Sequence, residues 1–524
     1  MKTRTARKGT VRRAGRDSSK ETAAAGLAAA GGANSELVDM AEAIALLKTS
    51  RPTFYRWVRS GKLRGMKVGR QWRFQRADLD RFLKGEEPRI ALPTGMGPLL
   101  STMREKLAGA GADALLPEQT ARDQSEDRQA VGLMIALGLH LRASDIHLEP
   151  LSNGPDDAVA VLRYRVDGVL HTLAEFDVRL LRPIVERWKI MGDADIHETK
   201  RPQDCRIVVT LGGRSIDLRV CIVPVCRGEA LTARVLDAAA VRLSLADMGF
   251  PPADYERVTR FLERPWGLLV VTGPTGSGKT TVLYACLNQC AKPGVKVMSV
   301  EDPVEYILPW ATQMQVRTQF GLTFPAALRA VLRSDPDVIL VGEIRDRESM
   351  LIVNQSALTG HLVMTTLHTE DAASALKRMV DIGGDPFVVA DATKLVTSQR
   401  LVRRLCQACS KPTQPAAAMV RRAAALAKAG ELDWDSLPKA FRAPAGCEQC
   451  RQTGFRGRMA VYETLEVTPA IGVALRQGAS VDDLRAIAVG EGMTTFVADG
   501  IRRAAGGQSA LDEVLRVVGA SGGA

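Results

Sequence analysis

From Leu37 to about Leu83 the apolar residues recur at helical spacing, first in Met40–Leu47 and then from Arg51 onward. From about Ala121 to Asp237, helical stretches mix with short alternating strands such as Ala158–Val166 and Ser215–Val220, which predicts an α+β domain. Residues 240–400 alternate short continuous apolar runs (Leu268–Thr272, Val295–Val300, Val338–Val341, Leu362–Thr366) with helical segments. Strands apolar on both faces belong in a parallel sheet covered by helices, so this part reads as α/β. Residues 466–518 are helical in pattern. Pro88, Pro93, Gly95, Gly97 and Pro98 interrupt the pattern and predict a linker. The first 34 residues are basic, then Ala/Gly-rich, with almost no large apolar side chain, and read as a disordered tail.

The expected organisation is therefore a multidomain α/β chain. It comprises a tail (1–34), a helix-turn-helix module (35–85), a linker (86–120), an α+β lobe (121–238), a phosphate-loop α/β domain (239–400), a cysteine-bearing region (401–465) and a helical C-terminal region (466–524). No internal repeat is evident.

Composition narrows the compartment and the partners. The chain has 524 residues, 46 % of them hydrophobic, ample for several packed cores. No apolar run approaches the ~18 residues of a membrane span, and Val131–Leu141 is the longest. The basic start lacks the apolar core of a secretory signal. Nine cysteines in a chain of this size make no disulfide scaffold, so a reducing, cytoplasmic setting is expected. The net charge of +12 is local: residues 1–90 hold 21 Lys+Arg against 9 Asp+Glu, and the remainder holds 50 of each. Basicity thus concerns only what the front end docks to.

The segment Gly273-Pro274-Thr275-Gly276-Ser277-Gly278-Lys279-Thr280 fits G-x-x-x-x-G-K-[ST] and stands between an apolar strand and a helix-compatible run opening at Thr281. Glycines let backbone N–H groups turn onto phosphate oxygens, and the helix N-terminus adds its positive dipole. Lys279 is expected at the β/γ-phosphates and the Thr280 hydroxyl on Mg²⁺, which makes ATP and Mg²⁺ the expected cofactors. Carboxylates at strand C-termini face the ligand crevice of an open α/β sheet. Glu343, which ends the apolar strand after Asp335 and Asp337, is therefore expected to orient or deprotonate the attacking water. Glu301, in Glu301-Asp302-Pro303-Val304-Glu305, is expected to support the metal's water. His361 and His368 flank the strand Leu362–Thr366 and are candidates to sense the γ-phosphate.

Cys406-x-x-Cys409 and Cys447-x-x-Cys450 form two knuckles suited to tetrahedral Zn²⁺, with disulfide or redox pairs as the alternative. Cys205, Cys221, Cys226, Cys286 and Cys290 are expected to be small core residues. In the front end, a helix over Met40–Leu47, a turn at Lys48–Ser50 and a second helix from Arg51-Pro52 to a stop at Ser60-Gly61 give a helix-turn-helix. A hairpin over Lys67–Phe74 with Gly69 near its turn and a last helix over Asp78–Leu83 follow. The module resembles an excisionase/MerR-type winged helix-turn-helix. The resemblance places Thr53, Tyr55, Arg56 and Arg59 at the major groove and Lys67, Arg70 and Arg73 on the wing. Phe54, Trp57, Val58 and Trp72 are expected to build the core. The partner is duplex DNA or a docked protein, and the free tail also suits an anionic membrane surface.

Eight collinear blocks extend the picture beyond these motifs: Arg142–Glu149, Arg163–Gly168, Arg201–Asp204, Asp217–Val220, Glu301–Glu305, Asp337–Asp346, Leu358–His361 and Thr366–Thr369. Over Ala121–Val518 the chain resembles the secretion ATPases of type II secretion and type IV pilus assembly. The resemblance implies a RecA-like ATP hydrolase in a ring-shaped homo-hexamer, pushing on an inner-membrane platform protein and held peripherally at that membrane. It also implies that Arg219 and Arg234 reach the nucleotide from the preceding lobe, and it matches Arg329, Arg333, Arg345 and Arg378 to further arginines. A tetracysteine insert is a feature of assembly-type members. Two departures stand out: Cys205 where the family usually has Gly, and an unusual Ile196–Lys200 block. A motor for DNA uptake or transfer, and a DNA-binding regulator with secondary ATPase activity, are the competing functional readings.

Overall fold

The computed structural model describes residues 37–59, 63, 65–68, 71–84, 95–108, 125–154, 157–211, 214–237 and 244–519. The predicted tail, the stop at Ser60-Gly61, the turn at Gly69 and Arg70 lie outside them. The chain divides into two compact units. One holds the front module with Glu186–Lys200, the other Leu92–Val185 with everything from Arg201.

In the first unit β1 (Leu37–Asp39), α1 (Met40–Leu46), α2 (Arg51–Arg59), β2 (Met66–Val68), β3 (Gln71–Gln75) and α3 (Arg76–Leu83) follow in order. Asp39 accepts from the N–H groups of Ala41 and Glu42, and Glu42 accepts from Asp39 N–H. This reciprocal box satisfies donors that the first turn of α1 leaves open. β3 lies between β1 and β2, antiparallel to both. Phe54 and Phe74 meet edge to face at 5.0 Å in a core shared with Ala43, Val58 and Leu79. Of the expected core residues, Phe54 and Val58 are buried, while Trp57 and Trp72 pack on the core from half-buried positions.

The second unit opens with α4 (Gly97–Ala108), inside the stretch expected to be linker. Its Leu99, Leu100, Met103 and Leu107 recur every three to four residues and are buried, which gives this short helix one apolar stripe. It packs on α5 (Glu126–Leu141). Then come β4 (Ala143–Gly154), β5 (Asp157–Val166), β6 (Val169–Asp177), β7 (Gln203–Leu211), β8 (Arg214–Val225) and β9 (Gly228–Asp237), while α6 (Leu181–Met191), between β6 and β7 in the chain, begins in this unit and from Glu186 counts with the first. The strands form an antiparallel sheet in the order β6-β5-β4-β9-β8-β7. α5 approaches this sheet so closely that a Cβ on Gly138 would meet Ile146 at 3.0 Å.

The second sheet is built from β10 (Gly267–Thr272), β11 (Val297–Glu301), β12 (Ala311–Gln315), β13 (Val338–Val341), β14 (Leu362–Leu367), β15 (Thr393–Leu405) and a late strand, β18 (Phe455–Glu466). Its order is β12-β11-β13-β14-β10-β15-β18, parallel throughout except for β18, which runs antiparallel to β15. Helices α7 (Pro252–Leu262), α8 (Lys279–Cys290), α9 (Phe324–Leu332), α10 (Arg347–Leu358), α11 (Ala372–Asp381) and α12 (Pro386–Ala392) accompany it. Every residue of β10, β11, β13 and β14 is buried, as doubly covered strands require. The cysteine-bearing region opens and closes on strands β15 and β18 of this sheet. Between them lie β16 (Lys411–Pro412), α13 (Ala417–Ala429) and β17 (Arg442–Ala443). The C-terminal part is helical as expected: α14 (Pro469–Arg476), α15 (Val481–Gly490), α16 (Phe496–Ala505) and α17 (Leu511–Val518).

Candidate active site and metal centre

β13, β14 and β10 are parallel neighbours, so whatever follows their C-termini gathers at one edge. After β10 comes the phosphate loop, with α8 starting at Lys279 behind Gly278. Gly273, Gly276 and Gly278 have φ of 140°, 77° and 90°, values that favour glycine. A Cβ on Gly273 would strike the Gln399 carbonyl, whereas Gly276 faces open space. Pro274, Thr275, Gly276 and Thr280 are exposed, Gly278 and Thr281 half-buried. Ser277 is buried, and its hydroxyl has no hydrogen-bond partner among the described residues. Together with the free N–H groups of the first turn of α8, this is a cradle for phosphate oxygens.

Lys279 is buried at the base of the cradle. Its Nζ donates to the carbonyls of Gly273 (2.8 Å) and Pro274 (3.1 Å) and lies 3.4 Å from His368 Nδ1. Burial pushes the ammonium down to about 8, and the nearby Glu343 partly opposes this. Glu343 follows β13, pairs with Arg345 and has Oε2 3.5 Å from His368 Nε2. Lys279, His368 and Glu343 are thus brought together on three adjacent strand ends.

Two predicted residues do not join this group. His361 precedes β14, and its carbonyl accepts from Gly267 N–H at the start of β10. That is the opposite end of the sheet, roughly 20 Å from the phosphate loop at about 3.3 Å per residue. Its side chain is bonded to Ser356 O at 3.0 Å. Glu301 is at the right edge but turned inward. It accepts from Tyr284 OH, from Ser299 Oγ (2.5 Å) and from Gln313 Nε2 (3.1 Å).

The antiparallel lobe supplies the arginines. Arg219 and Arg234 stand directly opposite each other on β8 and β9. Arg219 reaches the loop after β11, with Nη1 2.9 Å from Glu305 Oε2 and Nη2 donating to Val304 O at 2.7 Å. Arg234 pairs with Asp145 at 3.4 Å. Burial pushes the Glu305 carboxyl up, and Arg219 and Arg234 pull it back. Of the other arginines, Arg329 pairs with Glu348, and Arg378 stands in the last turn of α11. Two contributors were missed in the sequence, Tyr284 and Gln399, whose Nε2 supports the loop through Ser277 O at 2.6 Å, and Glu305 was visible only as a member of the acidic cluster. The only signal for Gln399 is an amide directly after the apolar and hydroxylic run Leu395–Ser398 of β15.

The sulfurs of Cys406, Cys409, Cys447 and Cys450 all lie within 4.8 Å of one another. The separations 406–447, 409–450 and 447–450 are 3.9, 3.7 and 3.7 Å. A tetrahedron with Zn–S near 2.3 Å has edges of about 3.8 Å, so four thiolates here fit zinc. Amide N–H groups of Cys447 and Gly454 point at Cys450 Sγ from 3.1 and 3.2 Å. Directly after this knuckle, Arg451 donates to the carbonyls of His140 and Leu141 (3.0 Å to the latter) at the end of α5. Of the remaining cysteines only Cys286 is buried. Cys226 is exposed, beside the β8–β9 turn, and is not a core residue.

On the front module, Arg56 is exposed, Thr53 and Tyr55 are half-buried, and the Arg51 guanidinium lies 5.9 Å from the Tyr55 ring centre. Arg73 is tied to Gln71 (3.0 Å) and Asp39 (3.8 Å). The side chains of Arg59 and Lys67 lie outside the described residues.

A family model described as "Type II/IV secretion system protein" matches residues 122–516, and one described as "Helix-turn-helix domain" matches 37–87. The type II secretion system protein HxcR of Pseudomonas aeruginosa is 42 % identical over 375 residues, covering 72 % of this chain and 74 % of the relative. The type IV pilus assembly ATPase PilB of Thermus thermophilus is 39 % identical over 416 residues, covering 79 % of this chain but 46 % of that longer protein. The X-ray structure of the Legionella pneumophila ATPase DotB shares the fold, with a TM-score of 0.54 at 19 % identity over 73 % of this chain and 94 % of that one. The matched span takes in the phosphate loop, Glu343, His368 and all four knuckle cysteines, and the chain belongs to the type II/IV secretion system protein family.

Proposed function

We propose that this secretion ATPase binds Mg²⁺-ATP on Gly273–Thr281 and hydrolyses it to power assembly of a type II secretion pseudopilus or a type IV pilus. The observation that carries the reading is the convergence of Lys279, His368 and Glu343 beside an open glycine cradle. Lys279 neutralises the β/γ-phosphate oxygens. Thr280 would hold Mg²⁺, which when bound supplies charge neutralisation across the phosphates. Glu343 orients the attacking water and accepts its proton, and His368, between Glu343 and Lys279, senses the γ-phosphate. Arg219, with Arg234 behind it, adds a guanidinium as negative charge spreads over the transferring group. Glu301 has both oxygens engaged inside the chain and acts by holding the loop Asp302–Glu305 in place. His361 takes no part in the chemistry of its own chain.

Cys406, Cys409, Cys447 and Cys450 would hold one structural zinc. The working form is a homo-hexamer at an inner-membrane platform protein, reached through partners. Among the described residues no helix is long and apolar enough to cross a membrane. The front module adds contact with duplex DNA through α2, where Arg56 is exposed. The test is Mg²⁺-ATP turnover with native mass measured alongside: a six-chain particle whose turnover is lost in Lys279→Ala supports the reading. Turnover undiminished by that change would contradict it, and a particle that stays monomeric with nucleotide would overturn the ring.

A further inference from the structure

The phosphate-loop helix carries a side chain that the chemistry above does not use. Tyr284 is one turn beyond Thr280 on α8 and is buried, so it shares the face of the helix that begins at the phosphate site. Its hydroxyl donates to Glu301 Oε2 and accepts from Glu305 N–H at 3.3 Å. One oxygen therefore fastens both ends of the acidic loop Glu301–Glu305 to α8. The same loop is where Arg219 is held, by Glu305 Oε2 at 2.9 Å and Val304 O at 2.7 Å. The contacts run without a gap from the first turn of α8, through Tyr284, to Glu305 and Arg219 on β8.

We propose that Tyr284 is a positioning residue that couples nucleotide occupancy of Lys279–Thr280 to the placement of Arg219. The proposal rests on the ATPase reading given above. When phosphate draws on the first turn of α8, the hydroxyl carries the loop with it, and Glu305 presents or releases the guanidinium. Glu305 suits this part because, although the residue is half-buried, its Oε2 is shielded from solvent, which makes leaving that oxygen unpaired costly. The loop therefore keeps hold of Arg219 until a phosphate oxygen replaces the carboxylate as its partner. Tyr284 is buried a full turn beyond the residues that meet phosphate, so its loss acts on the rate of the step and leaves nucleotide binding in place.

Tyr284→Phe in the full chain removes only the hydroxyl. Expected is a kcat lower by about tenfold, the scale of one lost buried hydrogen bond, with KM for ATP within about twofold. In an Arg219→Ala background the same change is expected to lower kcat no further, because both act on one step. Multiplicative losses, a change in KM alone, or wild-type kcat in Tyr284→Phe would each overturn the coupling. Hydrogen exchange of the unaltered protein provides a check that needs no variant: exchange at Glu305 N–H is expected to change when Mg²⁺-ATP saturates the site, and no change overturns the proposal. A chain that neither binds nor turns over ATP would instead refute the ATPase reading beneath it.

Discussion

His368 and Glu343 face each other across neighbouring strand ends, with Nε2 3.5 Å from Oε2, and the other ring nitrogen of His368 lies 3.4 Å from Lys279 Nζ. One imidazole thus spans the groups expected to meet the phosphate and the water. His368→Ala is expected to lower kcat by about 10²-fold, the lower range for a positioned acid–base group, with little change in nucleotide affinity. Steady-state turnover and equilibrium nucleotide binding, measured together, check this.

The state of Lys279 gives a pH dependence. Burial lowers its ammonium to about 8, so below that pH the cation is in place and above it the side chain is increasingly neutral. Phosphate favours the charged form, so binding above about pH 8 must take up a proton, and affinity falls as pH rises further. Calorimetric titrations in buffers of different ionisation enthalpy are expected to show proton uptake at pH 8.5 and almost none at pH 7. Lys279→Arg, if it binds, is expected to show none at either, since a guanidinium stays charged.

The elements with local signatures were legible in the sequence. The strand–glycine loop–helix of residues 267–290, the helix-turn-helix of 40–59 and the two cysteine knuckles are each fixed by spacing within a few residues. What escaped depends on direction and on distant pairing. His361 and His368 flank one strand and look equivalent in the sequence, yet a six-residue strand puts them at opposite ends of the sheet. Glu301 ends one apolar strand and Glu343 follows another, but only Glu301 has Tyr284, Ser299 and Gln313 to draw it inward. Residues 401–405 and 455–466 join the main sheet through pairing across fifty residues or more, which no local pattern records. α4 was hidden because its one apolar stripe starts among glycines and prolines.

The cysteine knuckle carries a structural consequence through Arg451, which caps the last carbonyls of α5. A cation there is worth up to about 1 kcal/mol to the helix end. Arg451→Ala is expected to speed amide exchange in the last turn of α5 while zinc content stays at one per chain. Cys450→Ser, or chelation, is expected to remove the zinc and speed the same exchange. Unchanged exchange after zinc removal would separate the knuckle from this contact.

The charge surplus of the front end predicts duplex DNA binding by the full chain that weakens steeply with salt. Arg56→Ala is expected to weaken it and, if Arg56 meets a phosphate, to reduce the salt slope by about one. Fluorescence anisotropy across a salt series measures both. No binding at low salt would leave the module as a protein-docking adaptor.

The role proposed for Glu343 is to act on water at a nucleotide held by the phosphate loop. It is tested most directly by Glu343→Gln, which keeps the shape of the side chain and removes its basicity. Phosphate release and ATP binding should be measured on the same preparation. ATP is expected to bind within about threefold of wild-type affinity, with turnover lower by at least about 10²-fold. Near-wild-type turnover with intact binding would contradict it.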